Sequence, residues 1–133
     1  MKKPVLFSIV ESPMHPDFSA LYRRHGIDEI RINSIRKALT QLKKQPPDFI
    51  VAEFFYGYGN NYAGVNISNL DVLLYSLQKY APDARVIVLV ERSERGYVDK
   101  LNAILPLHGI LQHPLSEALM AACLDPARNG DDS

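Results

Sequence analysis

The chain has 133 residues, which fits one domain because single hydrophobic cores of about 100–150 residues are the commonest size. Apolar residues make up 47% and charged residues 23%, and this balance excludes wholesale disorder and fibrous repeats. Fifteen Lys and Arg residues balance fifteen Asp and Glu residues, so the composition argues against a protein that binds nucleic acid through a strongly basic surface.

Cysteine content and hydropathy indicate the compartment. Cys123 is the single cysteine and cannot form an internal disulfide; its small, apolar neighbours predict a packing role. The longest apolar runs are far shorter than the about 18 residues that a membrane helix needs. We therefore expect a soluble, cytoplasmic protein with no membrane segment.

The first predicted unit is a strand followed by a helix. Residues 5–10 form a short, apolar, β-rich run, which is typical of a strand buried on both faces. Asp17 is a candidate helix cap, and the apolar residues after it recur at helical spacing. Gly26 predicts the end of this helix, because glycine suits the position after a helix C-terminus.

A second unit of the same kind follows. Ile30 and Ile32 alternate with charged residues, which predicts a half-buried strand at the edge of a sheet. Asn33 or Ser34 is expected to cap the next helix, whose apolar stripe ends before the Pro46-Pro47 stop.

The third unit contains an unusually long connection. Residues 49–52 predict a buried strand that ends at Glu53, and leucines at helical spacing predict a helix over 70–77. The segment 54–68 between them is rich in Tyr, Gly and Asn and has no periodicity. Loops of this length are more often functional or disordered than simple connections.

Two more units complete the chain. Residues 86–90 predict a strand, and an apolar stripe over 97–105 predicts a fourth helix. Residues 109–111 predict a fifth strand, Pro114 is expected at the first position of the last helix, and 125–133 form a polar, flexible tail. Five strands that alternate with five helices predict an α/β sandwich with a parallel sheet.

The order of these elements and three short segments resemble the receiver domain of response regulators, the family of the chemotaxis regulator. The segments are 45–51, 80–89 and 109–115, and the resemblance covers residues 4–124. It implies a flavodoxin-like (βα)5 sandwich with a five-stranded parallel sheet in the order 2-1-3-4-5, and a site at the carboxyl ends of the strands.

The resemblance also implies a chemistry, phosphoryl transfer to an aspartate. In this family two acidic residues after the first strand hold Mg²⁺ together with the acceptor Asp. A Lys pairs with the phosphoryl group, and a Ser or Thr at the end of the fourth strand senses its arrival. The dication and the lysine offset the charge that develops on the transferred oxygens.

This chain departs from that pattern at most of these positions. The residues that align with the pocket are Glu11, Ser12, Glu53, Val90, Glu91 and His113. Glu53 replaces the acceptor and places its carboxylate about 1.5 Å further out. Val90 lacks the hydroxyl, and His113 stands where the lysine is expected. The resemblance therefore indicates a degenerate pseudo-receiver that lacks the phosphoacceptor Asp.

Glu53 has three alternative roles at this stage. It imitates a phosphorylated aspartate, it coordinates a cation weakly with Glu11, or it simply pairs with His113 or water. The residue types do not choose between these roles.

Two sets of apolar and aromatic residues are candidates for contacts with other proteins, because aromatic side chains bury a large area with few rotamers. The partner-binding loop would use Phe55, Tyr56, Tyr58 and Tyr62. Receiver domains commonly dimerise through the fourth helix and fifth strand, which here carry Tyr97, Leu101, Leu105 and Ile110. For both sets the alternative is a purely structural role, as a pocket cover or as core.

We therefore expect a non-catalytic, stand-alone signalling module, not an enzyme, with no cofactor and no metal. It would act on a protein partner, with a homodimer as a further form, and on neither nucleic acid nor membrane. The residues after 124 are too few for a DNA-binding output domain. The alternative is an atypical receiver that still accepts a phosphoryl group or binds a small ligand in a remodelled pocket.

Overall fold

The computed structural model describes residues 3–10, 17–56 and 68–124. Its strands, β1 to β5, are Val5–Ile9, Asp28–Ile32, Phe49–Glu53, Arg85–Val90 and Gly109–Gln112. Its α-helices, α1 to α5, are Ser19–Arg24, Ile35–Lys44, Asp71–Tyr80, Arg95–Val98 and Glu117–Leu124. The predicted tail 125–133 lies outside the described residues.

The five strands form one parallel sheet in the order β2-β1-β3-β4-β5. This confirms the flavodoxin-like arrangement and the receiver-domain topology. Strands β1 and β3 are buried along their whole length, whereas β2 lies at an edge and has a mixed burial pattern. The apolar runs and the alternating run therefore predicted which strands are central and which is peripheral.

Helices cover both faces of the sheet and divide the core in two. On one face α2 and α3 pack with the segment that follows β4, and on the other face α1 packs with α5. Neighbouring residues of one strand serve different faces, since Phe7 belongs to the first cluster and Leu6 to the second. Cys123 packs against the second cluster, as expected.

Hydrogen bonds show how the first two helices begin and end. The N-cap of α1 is Phe18 and not Asp17, although Asp17 Oδ1 accepts the Ser19 N–H at 2.9 Å. The Lys37 N–H donates to Ser34 Oγ at 3.1 Å, so Ser34 caps α2. Gly26 has φ of 70°, a left-handed conformation that favours glycine at the end of a helix.

Two predictions about the last third of the chain are wrong in detail. The expected fourth helix is only one turn of α-helix, flanked by 3₁₀ turns at Arg92–Glu94 and Asp99–Ala103. Gly96 lies inside that α-helical turn, where glycine costs about 1 kcal/mol relative to alanine. The apolar stripe predicted the buried face correctly but not the regularity of the helix.

The last helix begins at Glu117 and not at Pro114. The Leu119 N–H donates to Ser116 Oγ at 3.1 Å, which is the bond of an N-terminal cap. The serine hydroxyl therefore sets the start of α5, whereas proline lies before it.

Among the described residues, no helix has the length and hydrophobicity required to cross a bilayer.

Candidate functional site

The candidate site is the corner where the central strands end. Glu53 is the last residue of β3 and is paired in register with Leu89 of β4. The Phe54 N–H donates to Leu89 O at 2.9 Å, and the His113 N–H donates to Val90 O at 3.0 Å. Parallel pairing thus continues one residue beyond the strands and brings the predicted residues of β3, β4 and β5 to one edge of the sheet.

Glu53 and Val90 form the interior of this corner. Glu53 is only 6% exposed, and Val90 is buried as well. A valine offers two methyl groups and no hydrogen-bond donor at the end of β4. Glu11 and Ser12, the other two predicted pocket residues, lie outside the described residues.

His113 and Glu91 lie nearer the surface. His113 Nε2 is 3.8 Å from Glu91 Oε2, and the Glu91 side chain is 64% exposed. His113 therefore lies within ion-pair distance of the residue after Val90, and the three roles considered for Glu53 stay open. Exposed pairs of this kind contribute about 0–1 kcal/mol to stability.

Asn69 fixes the backbone at the end of β3. Its Nδ2 donates to the carbonyl of Glu53 at 2.9 Å, and its Oδ1 accepts the Phe55 N–H at 2.8 Å. One buried side chain thus bonds the backbone on both sides of Phe54. This residue was not identified from the sequence, because a single Asn in a polar loop has no distinguishing spacing.

Ser68 and Asp71 fix the start of α3. Asp71 Oδ1 accepts both the Ser68 N–H, at 2.7 Å, and the Ser68 hydroxyl, at 3.0 Å. Ser68 Oγ in turn accepts the Leu70 N–H at 3.0 Å. The spacing of a serine followed three residues later by an acidic residue resembles a capping box, and this signal in the sequence was overlooked.

Two tyrosines join the connections that follow β3 and β4. The rings of Tyr56 and Tyr97 stack with centroids 3.8 Å apart and an angle of 17° between their planes. The Tyr56 N–H also donates to Glu94 Oε1 at 3.1 Å. Tyr56 is 48% exposed and Tyr97 38% exposed, so the pair forms an aromatic surface beside the corner.

The predicted contact residues divide between surface and interior. Leu101 and Leu105 are buried in the core, which is the structural alternative given for these residues. Tyr97 is exposed and Ile110 half-buried, so both retain accessible surface. In the loop, Tyr56 is exposed and Phe55 half-buried. The other two predicted loop residues, Tyr58 and Tyr62, lie outside the described residues.

A metal site would need several ligands close together. Within residues 3–10, 17–56 and 68–124, no group of three or more His, Cys, Asp or Glu side chains lies together in this way. Glu11, the residue that the cation alternative pairs with Glu53, is not in these ranges.

Comparisons with known proteins agree with the topology. No protein-family model and no curated protein matches the chain. A DNA-binding response regulator of the LuxR family from Staphylococcus aureus superposes with a TM-score of 0.70 at 12% identity, over 95% of this chain and 99% of that one. A receiver domain from Clostridium thermocellum gives 0.68 at 16% identity, over 94% and 93%.

A third solved structure, a response regulator protein from Burkholderia multivorans, gives a TM-score of 0.67 at 12% identity, over 99% of this chain and 100% of that one. Identities this low establish a shared architecture and nothing about shared chemistry. The chain has the fold of a response-regulator receiver domain.

Proposed function

We propose that the protein is a non-catalytic pseudo-receiver, a signalling module that acts through protein–protein contacts and independently of aspartate phosphorylation. The observation that carries the proposal is Glu53, which ends β3 where a receiver has its acceptor aspartate and is almost completely buried. The proposed module comprises residues 4–124.

The geometry around Glu53 opposes its use as an acceptor. Its carboxylate extends about 1.5 Å beyond that of an aspartate. Asn69 holds the Glu53 carbonyl by a hydrogen bond of 2.9 Å, so the backbone has little freedom to retract and compensate. In-line transfer depends on placing the reacting atoms to within fractions of an ångström, and the longer side chain disturbs that placement.

Among the described residues, Val90 and His113 stand where a receiver has groups that stabilise a phosphoryl group. The buried Val90 side chain cannot donate a hydrogen bond to an incoming oxygen. His113 replaces the expected lysine and is engaged by the Glu91 carboxylate at 3.8 Å. A second carboxylate beside the corner disfavours a dianionic phosphoryl group.

The stacked tyrosines support a role in protein–protein contact. Tyrosine is enriched in the energetic centres of interfaces, because it buries a large rigid area and keeps a polar tip. Tyr56 and Tyr97 are already held against each other, so little conformational entropy is lost when a partner covers them.

The first test is phosphorylation by a small acyl phosphate. Purified protein incubated with acetyl phosphate and Mg²⁺ should show no adduct of about 80 Da by intact-mass spectrometry. The Glu53→Gln variant, treated in parallel, is the matched control because it has nearly the same shape and no nucleophilic carboxylate. A hydroxylamine-sensitive adduct on the wild type that is absent from the variant would contradict the proposal and support an active receiver.

The second test concerns the contact surface. Immobilised wild-type protein should retain a partner from native extract, and the Tyr56→Ala/Tyr97→Ala double variant should lose it. Tyr75→Ala is the matched control, since Tyr75 is a similarly exposed tyrosine on α3. Equal retention by all three proteins would exclude the stacked pair as the contact.

A further inference from the structure

A crevice lies at the β2 edge of the sheet, and Glu53 is not among the residues that line it. It has a volume of about 570 Å³ and lies between the edge strand β2 and α2. In the described part of the chain, β2 is an edge strand that pairs with β1, and no further strand lies beyond it. The volume is within the range of about 300–1,000 Å³ that is usual for small-molecule sites.

The floor of the crevice is apolar. Val10, Ile30 and Ile32 line it. Ile30 and Ile32 alternate along β2 with charged residues, and they share the core face on which α2 packs. Val10 and Ile30 are each half-buried, so they offer branched apolar surface on which a flat ring can rest.

The wall of the crevice is polar and basic. Lys37, Thr40 and Gln41 line it from α2, where spacings of three and four residues place side chains on the same side of a helix. Asn33 adds an amide at the end of β2. The Arg31 guanidinium lies instead near Ser19, Asp17 and Glu29, at 3.3–3.7 Å. Arg31 also lines the crevice, but its guanidinium has these other partners, so among the described lining residues Lys37 is the cation that we assign to a ligand.

The charge of α2 favours an anion. The helix carries four basic residues and no acidic one, although the chain as a whole has no net charge. The four are Arg36, Lys37, Lys43 and Lys44, and none of them forms an ion pair within the described ranges. Uncompensated charge of one sign beside a concave, partly apolar surface attracts small ions of the opposite sign.

We propose that this crevice binds a nucleoside phosphate, with the base on the floor formed by Val10 and Ile30 and the phosphate at Lys37. An apolar floor for a planar ring, polar side chains for its edge and the Lys37 ammonium, which has no ion pair among the described residues, match the three parts of such a molecule. The site does not depend on the pseudo-receiver function, since Glu53 takes no part in it.

The test is an NMR titration of ¹⁵N-labelled protein with ADP and GDP, with adenosine and inorganic phosphate as partial ligands. At least one diphosphate should cause saturable shifts confined to Val10 and to residues 30–33 and 37–41. Adenosine and phosphate should each bind more weakly, because each supplies half of the contacts. The absence of saturable shifts in these segments with both diphosphates would overturn the proposal.

Two lysine variants separate a specific site from general attraction to a basic helix. Lys37→Ala should weaken nucleotide binding about tenfold, which corresponds to about 1.4 kcal/mol. Lys44→Ala removes the same charge from the same exposed helix but does not line the crevice, so it should change the affinity less than about twofold. Equal losses of nucleotide affinity in the two variants would show that the nucleotide responds only to the total charge of α2, and this result would refute the site.

Discussion

Two regions of the molecule bury polar groups to a similar degree but differ in the hydrogen bonds that they give these groups. In the connection between β3 and α3, Asp71 is 3% exposed and its Oδ1 accepts two hydrogen bonds. On the opposite face of the sheet, Tyr22 of α1 is 1% exposed, yet its hydroxyl has no hydrogen-bond partner in the described part of the chain. Burial alone therefore does not indicate what a polar group contributes; its partners do.

The surroundings of Tyr22 show why its ring matters more than its hydroxyl. The ring packs in the core with Phe18, at a centroid distance of 6.4 Å. Burial, and secondarily the Glu29 carboxylate, raise the pKa of the Tyr22 phenol well above its ordinary value. The side chain therefore functions as a large apolar residue that carries an unused polar atom.

The largest effect is expected from Asp71→Ala. The substitution leaves the Ser68 N–H without its acceptor in a buried position, and it should lower the free energy of unfolding by about 2–4 kcal/mol in urea titrations. Asp71→Asn is the control, because it keeps an oxygen at the acceptor position and should lose less. A loss below about 1 kcal/mol for the alanine variant would mean that the buried bonds contribute little.

A smaller loss, about 2 kcal/mol, is expected from Asn69→Ala, since two neutral hydrogen bonds disappear. Hydrogen exchange should accelerate at the Phe55 amide, which donates to Asn69 Oδ1. Asn69→Asp keeps that acceptor and removes the donor to the Glu53 carbonyl, so Phe55 should stay protected in this variant while stability still falls. Unchanged exchange in Asn69→Ala would disprove the role of this side chain.

The smallest effect at neutral pH is expected from Tyr22→Phe, within about 0.5 kcal/mol of wild type, because no hydrogen bond is lost. The difference should appear in alkali. The unfolded chain ionises Tyr22 near pH 10, whereas the folded chain retains the proton to higher pH. Rising pH above about 10 therefore favours unfolding of the wild type through this residue, and the variant lacks that contribution.

Unfolding free energies of both proteins between pH 7 and pH 11 provide the measurement, and the curves should diverge only at the alkaline end. A marked loss at pH 7 in the variant would show that the Tyr22 hydroxyl has a partner and would remove the contrast between the two regions. Parallel curves would show that folding does not raise the pKa of Tyr22.

The fold was predictable because its signals are local and strong. Buried strands such as β1 have continuous apolar runs, and caps such as Ser34 lie next to the helices they begin. The irregular segment around Gly96 was missed because the apolar stripe continues through it, and the late start of α5 was missed because proline favours the first position of a helix. The hydrogen bond to Ser116 decides where α5 begins, and Gly96 decides where the fourth helix becomes irregular. Hydrophobicity decides neither.

Of the candidate site, only the residues at the ends of strands could be predicted from the sequence. Glu53, Val90 and His113 lie at the ends of successive strands, and parallel topology brings such ends together. Asn69 was missed, and Tyr56 and Tyr97 were named as contact residues without their stacking, because the partners are distant in sequence. The crevice beside α2 was missed because it exists only where the sheet stops, and no local pattern encodes that.

The stacked tyrosines have a mechanical consequence for the interior. A continuous line of contacts runs from Tyr97 to Tyr56, through the adjacent Phe55 to Asn69, and ends at the Glu53 carbonyl. A protein that separates the two rings therefore also displaces the backbone that closes the end of β3. Binding of that protein at the stacked tyrosines would then increase the exposure of the Glu53 carboxylate to solvent, and its release would reverse the change.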